Sequence, residues 1–148
     1  SRVAQHPLAA EFARLGDYLA LMQVRMDQRL RTSFELPAEL AASPVPPLLL
    51  QPLVENAIKH GLEPKVDGGQ IVISAAREGP QLVLRVRDTG VGLSSAGSTS
   101  ADPTKFGLAQ VRERLAALYG ARASLELTDV VGAEGGTLAT IRLPMPLA

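Results

Sequence analysis

The chain has 148 residues, 46% hydrophobic and 20% charged, the composition of one folded globular domain, and it contains no run of about 18 apolar residues that could span a bilayer. Fifteen Lys and Arg balance fifteen Asp and Glu, so there is no global electrostatic case for nucleic acid or an anionic membrane as partner, and any phosphate recognition must be local. The absence of cysteine excludes disulfides and thiolate metal sites and fits a reducing compartment, with cytoplasm as the default.

Ser1 rather than Met opens the chain and no signal-peptide pattern follows, which is what a piece of a longer protein would show. Leu8, Phe12, Leu15, Leu19, Met22, Met26 and Leu30 then recur at steps of three or four, predicting a helix that starts just after Pro7. Glu11, Arg14, Asp17, Arg25 and Asp27 fill much of the remainder. The apolar stripe therefore faces a core or a partner helix. Residues 32–36 form a short strand candidate ended by Pro37, and Pro44, Pro46 and Pro47 punctuate the approach to a second helix expected from Pro46 to His60. Gly61 is expected as its C-terminal cap, with Lys59 and His60 in the last turn, where positive charge suits the helix dipole.

Residues 70–78 and 81–88 are rich in β-branched side chains and separated only by Gly79-Pro80, the pattern of a hairpin. Residues 94–105 are almost entirely small or polar and are expected to be a mobile loop. Helical spacing returns over residues 106–119, with Gly120 as its stop, and residues 124–131 and 137–143 are the last strand candidates. This order does not alternate as a doubly wound sheet does. It predicts an α+β fold of two layers, a mixed sheet of about five strands with about three helices on one face.

Phosphate-loop, dinucleotide, zinc-protease and serine-hydrolase signatures are all missing, and His6 and His60 are the only histidines, which excludes a multi-histidine metal site. A polar cluster, Glu55, Asn56, Lys59 and His60, instead follows the apolar run 48–54, with residues 56, 59 and 60 on one helix face. Asparagine is a poor helix former, so Asn56 either bonds neighbouring backbone or serves as a neutral oxygen donor to Mg²⁺. Asp88-Thr-Gly-Val-Gly92 leaves a strand for a loop. A carboxylate there can accept from an exocyclic amine such as that of adenine, and the same residues could equally be a turn. Gly107-Leu108 begins a helix whose free amides could hold phosphate oxygens or simply be capped.

In this order, QPLVENAIKHG (residues 51–61) and DTGVG (residues 88–92) resemble the N box and glycine boxes of the gyrase, heat-shock chaperone, histidine kinase and MutL ATPase superfamily, whose fold is the Bergerat α/β sandwich. With DYLALMQVRMDQRL before and GLAQVRERLAALYG after, the wording is similar to the LytS-like sensor histidine kinases over roughly residues 8–144. The resemblance implies ATP and Mg²⁺ as cofactors, with Asn56 binding the metal and Asp88 the adenine amine. Lys59 and His60 would face the phosphates, Glu55 would sit beside the reaction in an open role, and Gly90, Gly92 and Leu93 would lie against the nucleotide. Residues 94–105 would be the ATP lid, closed by Gly107 and Leu108, and Gly135-Gly136-Thr137 would turn into the last strand.

It further implies that residues 1–31 join residues 32–148, the ATP-binding catalytic domain, to an upstream dimerisation region carrying the acceptor histidine. His6 does not match that acceptor motif and reads as a plain terminal residue. The expected setting is a cytoplasmic domain of a membrane-anchored, homodimeric sensor that passes phosphate to a response regulator, with no nucleic acid. Two departures stand out. A family pattern near GxGLxN reads Lys105-Phe106-Gly107-Leu108-Ala109-Gln110, and the position of the hydrolytic glutamate of ATPase relatives, four before Asn56, is Pro52. The alternatives are a nucleotide-sensing or protein-binding module that transfers no phosphate, an ATPase with a working lid, which Pro52 disfavours, and a serine-phosphorylating anti-sigma kinase.

Overall fold

The computed structural model describes residues 4–92, 108–132 and 135–145. A two-residue strand, β1 (His6–Pro7), leads into helix α1 (Leu8–Arg25). Its spaced apolar positions Leu8, Phe12, Leu15, Leu19 and Met22 are all buried and belong to the same core as the sheet, so the stripe faces the core. Each such side chain contributes about 1.5–3 kcal/mol. Glu11, expected on the polar side, lies within the stripe and is also buried.

The first helix is shorter than its apolar spacing predicts. Asp27 and Gln28 adopt left-handed backbone (φ 53° and 63°), the chain turns, and Leu30 opens strand β2 (Leu30–Glu35) instead of closing the helix. The rings of Phe12 and Phe34, 6.0 Å apart, tie α1 to this strand.

Strand β3 (Pro44–Val45) pairs antiparallel with β1, so the proline-rich approach doubles back on the start of α1. The second helix, α2 (Gln51–Asn56), begins five residues later than expected. Leu48 is left-handed (φ 60°), which breaks any helix through residues 46–50, and Pro52 takes the first-turn position that proline tolerates. The helix does not stop at Gly61. It widens into a π-helical turn (Ala57–Leu62), in which the Glu63 amide reaches back five residues to the Ile58 carbonyl at 2.8 Å. Gly61 thus lies inside the turn rather than capping it.

Strands β4 (Gly69–Glu78) and β5 (Gln81–Asp88) form the expected hairpin, with Glu78 opposite Gln81. Helix α3 (Ala109–Tyr119) ends at left-handed Gly120, as expected, and β6 (Ser124–Asp129) and β7 (Thr137–Pro144) follow. The sheet order is β2-β4-β5-β7-β6. Only β2 and β4 run parallel, so the sheet is mixed.

Period two assigns one face of this sheet to the core. Ile71, Ile73 and Ala75 of β4, Leu82, Leu84 and Val86 of β5, Ile141 and Leu143 of β7, and Leu125 and Leu127 of β6 are buried in one cluster with all three helices. The other face carries Glu78, whose carboxylate pairs with Arg85 at 3.2 Å and Arg142 at 2.9 Å. The fold is the two-layer α+β arrangement expected. Among the described residues no helix is long and apolar enough to cross a membrane.

Ile141 lies opposite both Leu84 and Leu125 and is fully buried. Ile141→Ala should therefore cost about 2–5 kcal/mol in urea unfolding. Val24→Ser, at a helix position 79% exposed, should stay within about 0.5 kcal/mol of the parent. Equal costs at the two positions would contradict this assignment of the core.

Candidate nucleotide site

Strand β5 points Leu82, Leu84 and Val86 inward, and the same alternation carries Asp88 onto the core face, opposite Ile71 and Thr137. Its side chain is 3% exposed. The Gly90 amide donates to Oδ1 at 2.8 Å. Burial pushes the carboxyl up to about 6, against the opposing pull of the Gly90 and Thr137 amides and the Lys65 charge.

The π-turn lies directly over this carboxylate. A Cβ on Gly61 would stand 2.8 Å from Asp88 Oδ1, and one on Gly90 would collide with the Gly61 carbonyl. That carbonyl accepts the Val91 amide at 3.0 Å. The end of α2 and the loop after β5 are thus joined backbone to backbone, which only glycine at both positions permits. Gly92 follows in left-handed backbone (φ 81°).

Thr89 fixes the other side of the loop. Its amide donates to the Gln70 carbonyl at 3.0 Å, its hydroxyl accepts the Gln70 amide at 2.9 Å, and its carbonyl accepts the Lys65 ammonium at 2.7 Å. Arg29 in turn donates to the Lys65 carbonyl at 2.8 Å, holding the segment that carries Lys65.

Asn56 is the last residue of α2 before the π-turn. Its Oδ1 is buried without a hydrogen-bond partner, as is Oε1 of Gln51 at the start of the same helix. An unsatisfied buried oxygen of this kind costs about 1–3 kcal/mol, and it is the atom that a ligand or cation would satisfy. Lys59 is exposed and His60 half-buried on the π-turn. Burial, and secondarily the charge of Lys59, holds the His60 imidazole below its usual range. Glu55 is exposed and accepts from Gln51 at 3.2 Å, and its charge, with that of Glu63, adds to the burial that raises the Tyr18 phenol on α1.

Leu108 is buried in the core at the start of α3, so only its backbone is available to a ligand. Leu93, Gly107 and the lid expected over residues 94–105 lie outside the described residues. The structure therefore brings together the π-turn carrying Lys59, His60 and Gly61 with Asp88 and Gly90, and places Asn56 immediately before that turn.

Lys65, Thr89 and the conformational role of Gly61 were not evident from residue types. A signal for Gly61 exists in Pro64, three residues on, which marks a later helix end than the glycine does. His6, read as a plain terminal residue, has its Nε2 2.8 Å from Glu11 Oε1.

Residues 47–147 match the family of histidine kinase-, DNA gyrase B- and HSP90-like ATPases. The chain is 34% identical over 137 residues to the sensor histidine kinase BtsS of Escherichia coli K12, covering 93% of this chain and 23% of that protein. It is 28% identical over 147 residues to the sensor protein LytS of Bacillus subtilis 168, covering 94% and 24%. In three dimensions it is similar to the catalytic domain of histidine kinase ThkA (TM-score 0.71, 14% identity, 98% of each chain). It is also similar to ThkA solved in complex with the response regulator protein TrrA (TM-score 0.66, 14% identity, 97% of this chain and 42% of that one). The chain belongs to the histidine kinase, gyrase B and HSP90-like ATPase family, with the ATP-binding catalytic fold of sensor histidine kinases. It spans about a quarter of the length of the curated relatives it matches.

A carboxyl raised from 3.8 to about 6 binds more protons in the native than in the unfolded state between those values. Its contribution to stability therefore falls as pH rises through that window and stays lost above it. Asp88→Asn should accordingly raise stability at pH 7, by up to about 3 kcal/mol, with the gain vanishing near pH 4. Chemical denaturation at both pH values checks this. A destabilised variant at pH 7 would mean that the charge serves the fold.

Proposed function

We propose that this domain binds Mg-ATP between α2 and the loop after β5 and presents the γ-phosphate to a histidine carried by an upstream region, for relay to a response regulator. The observation that carries the reading is Asp88: a carboxylate kept inside the core, where burial opposes its ionisation, in a chain that belongs to an ATPase family. Ionised, it accepts the exocyclic amine of adenine. The backbone contact between Gly61 and Gly90 keeps it in place.

Asn56 suits the metal. Mg²⁺ takes few protein ligands and fills its shell with phosphate oxygens and water, and the unpartnered Oδ1 offers one neutral oxygen donor. Among the described residues no group of three or more His, Asp or Glu could hold the ion by itself. Bound there, Mg²⁺ would neutralise charge on the transferring phosphoryl group. Lys59 and His60 would face the phosphates, and residues 94–105, with Leu93, Gly107 and Leu108 at their ends, would close over them. Catalysis is then positioning and charge neutralisation, with the nucleophile imported.

His6 does not suit the role of acceptor, because its Nε2 already faces Glu11. The acceptor is assigned to the upstream dimerisation region, which α1 would join to the catalytic domain in a homodimeric, membrane-anchored sensor with this domain in the cytoplasm. Pro52, at the place of a water-activating glutamate, favours transfer over hydrolysis. Glu55, exposed and bonded to Gln51, is assigned no step. The altered stretch 105–110 favours one second reading, a domain that senses nucleotide without transferring phosphate.

Calorimetry tests the assignments. Asn56→Ala should reduce affinity for ATP in Mg²⁺ to that measured in chelator, while leaving the fold intact. Asp88→Asn should weaken adenine nucleotides about tenfold to a hundredfold at pH 7.5, the range of a hydrogen bond to a charged group. Undiminished affinity in either variant would remove that residue from the site.

A pH series provides a second check. With the carboxyl titrating at about 6, the acceptor is protonated below that value. Affinity should be flat above pH 7 and fall by about tenfold per unit well below 6. In Asp88→Asn this component should disappear.

A further inference from the structure

Glu11 stands one turn into α1 and is 1% exposed, yet both of its oxygens are used. Oε1 accepts the Leu48 amide at 3.0 Å and faces His6 Nε2 at 2.8 Å, and Oε2 accepts the Leu50 amide at 2.8 Å. Leu50 is the residue on which α2 starts, and no side chain of α2 caps it. Leu48 holds left-handed backbone, which a leucine adopts at a steric cost, while its side chain is 46% exposed and so contributes little packing in return. Two further bonds, Leu8 N to Ser43 O at 2.8 Å and Ala9 N to Ala41 O at 2.9 Å, stitch the start of α1 to residues 41–43, ahead of that segment in the chain.

A buried carboxylate and a strained leucine are both unfavourable alone. Together they define one thing, the path of residues 48–50 into α2. That path sets where α2 begins and how it is rotated about its axis. Asn56, fewer than two turns further on, inherits the rotation, and its Oδ1 has no bond of its own to correct it.

We propose that Glu11 is a positioning residue for the phosphate end of the nucleotide site: by holding the Leu48 and Leu50 amides it fixes the direction in which α2 presents Asn56 Oδ1. This rests on the reading of Asn56 as the metal ligand. Glu11 touches neither nucleotide nor metal. Asp88, held by Gly90, Thr137 and the π-turn, is independent of it, so the adenine end of the site should not respond to Glu11.

The experiment is calorimetric titration of the chain with Mg-ATP, and separately with adenosine in chelator, for Glu11→Gln, Asn56→Ala and the double variant. Glutamine keeps the size but cannot accept with both terminal atoms. Glu11→Gln should weaken Mg-ATP roughly tenfold, leave adenosine within about twofold, and add nothing further in the Asn56→Ala background, as residues acting through one another do. Leu48→Gly, which adopts positive φ without strain, should restore part of the loss. Glu11→Asp, with its carboxylate drawn back, carries the same expectation if Glu11→Gln does not fold.

Equal weakening of Mg-ATP and adenosine, losses that multiply in the double variant, or no loss at all would each overturn the proposal. If Asn56→Ala itself leaves Mg-ATP binding intact, the metal assignment fails separately. The coupling is then judged by the Asn56 side-chain amide resonances in the nucleotide-free chain, which Glu11→Gln should shift and which an uncoupled Glu11 would leave unmoved.

Discussion

Asp88 reaches the inner face of the sheet by the same alternation that brings Leu82, Leu84 and Val86 there, so this core has to accommodate a carboxylate at its edge. It does so by pressing helix backbone onto it. Any side chain at Gly61 would enter the space of the Asp88 oxygens, and any at Gly90 would enter that of Gly61. The helix must therefore arrive with a glycine at this point, and the loop must leave with another. The widened turn is a consequence. An α-helical end at Gly61 would stop the chain short of Leu62, which is fully buried, whereas one added residue per turn brings both Gly61 and Leu62 to the sheet.

The second helix is thus constrained at both ends by groups outside itself. Its start is held by a carboxylate from α1 and its far end by the loop after β5, whose Val91 amide donates to the Gly61 carbonyl. Between them lies an asparagine whose oxygen is bonded to nothing. Helices without tertiary restraint fray over their last turns, and one of six α-helical residues has little propensity to draw on. The external restraints supply what the short helix lacks, and they leave Asn56 Oδ1 without a partner on α2. A binding surface with unsatisfied groups is affordable only where the surrounding structure is over-determined.

Much of this was legible in the residues. Strand β5 occupies the span that its β-branched pattern indicates, Gly120 ends α3 as a glycine cap should, and the apolar stripe of α1 faces the core. What could not be read locally are the features set by tertiary contact. Gly61 looks like a cap because a glycine after Lys-His is a good local stop signal, and only the proximity of Asp88 reveals why it is a glycine. Glu11 occupies a position three after Leu8 and four before Leu15, so the stripe includes it by spacing, but its charge argues for solvent. Nothing within 30 residues of it indicates the Leu48 and Leu50 amides that satisfy it. The helix start at Gln51 rather than Pro46 follows from the same long-range bonds.

The two carboxylates also bear on transfer against hydrolysis. Hydrolysis needs a base next to the attacking water, and the position expected for such a glutamate, four residues before Asn56, is Pro52. Proline there is compatible with the first helical turn, where its missing amide costs no hydrogen bond, so the substitution favours the helix while removing the base. Glu55 is poorly placed to replace it, being exposed and engaged with Gln51. Asp88 is committed to the Gly90 amide at the other end of the site, and Glu11 is enclosed by its own donors. With each of these described carboxylates committed elsewhere, the proposed site can hold and polarise a phosphoryl group while none of them serves as a base for water. It leaves the nucleophile to be brought by another domain, which is the division of labour that a kinase with a separate histidine acceptor requires.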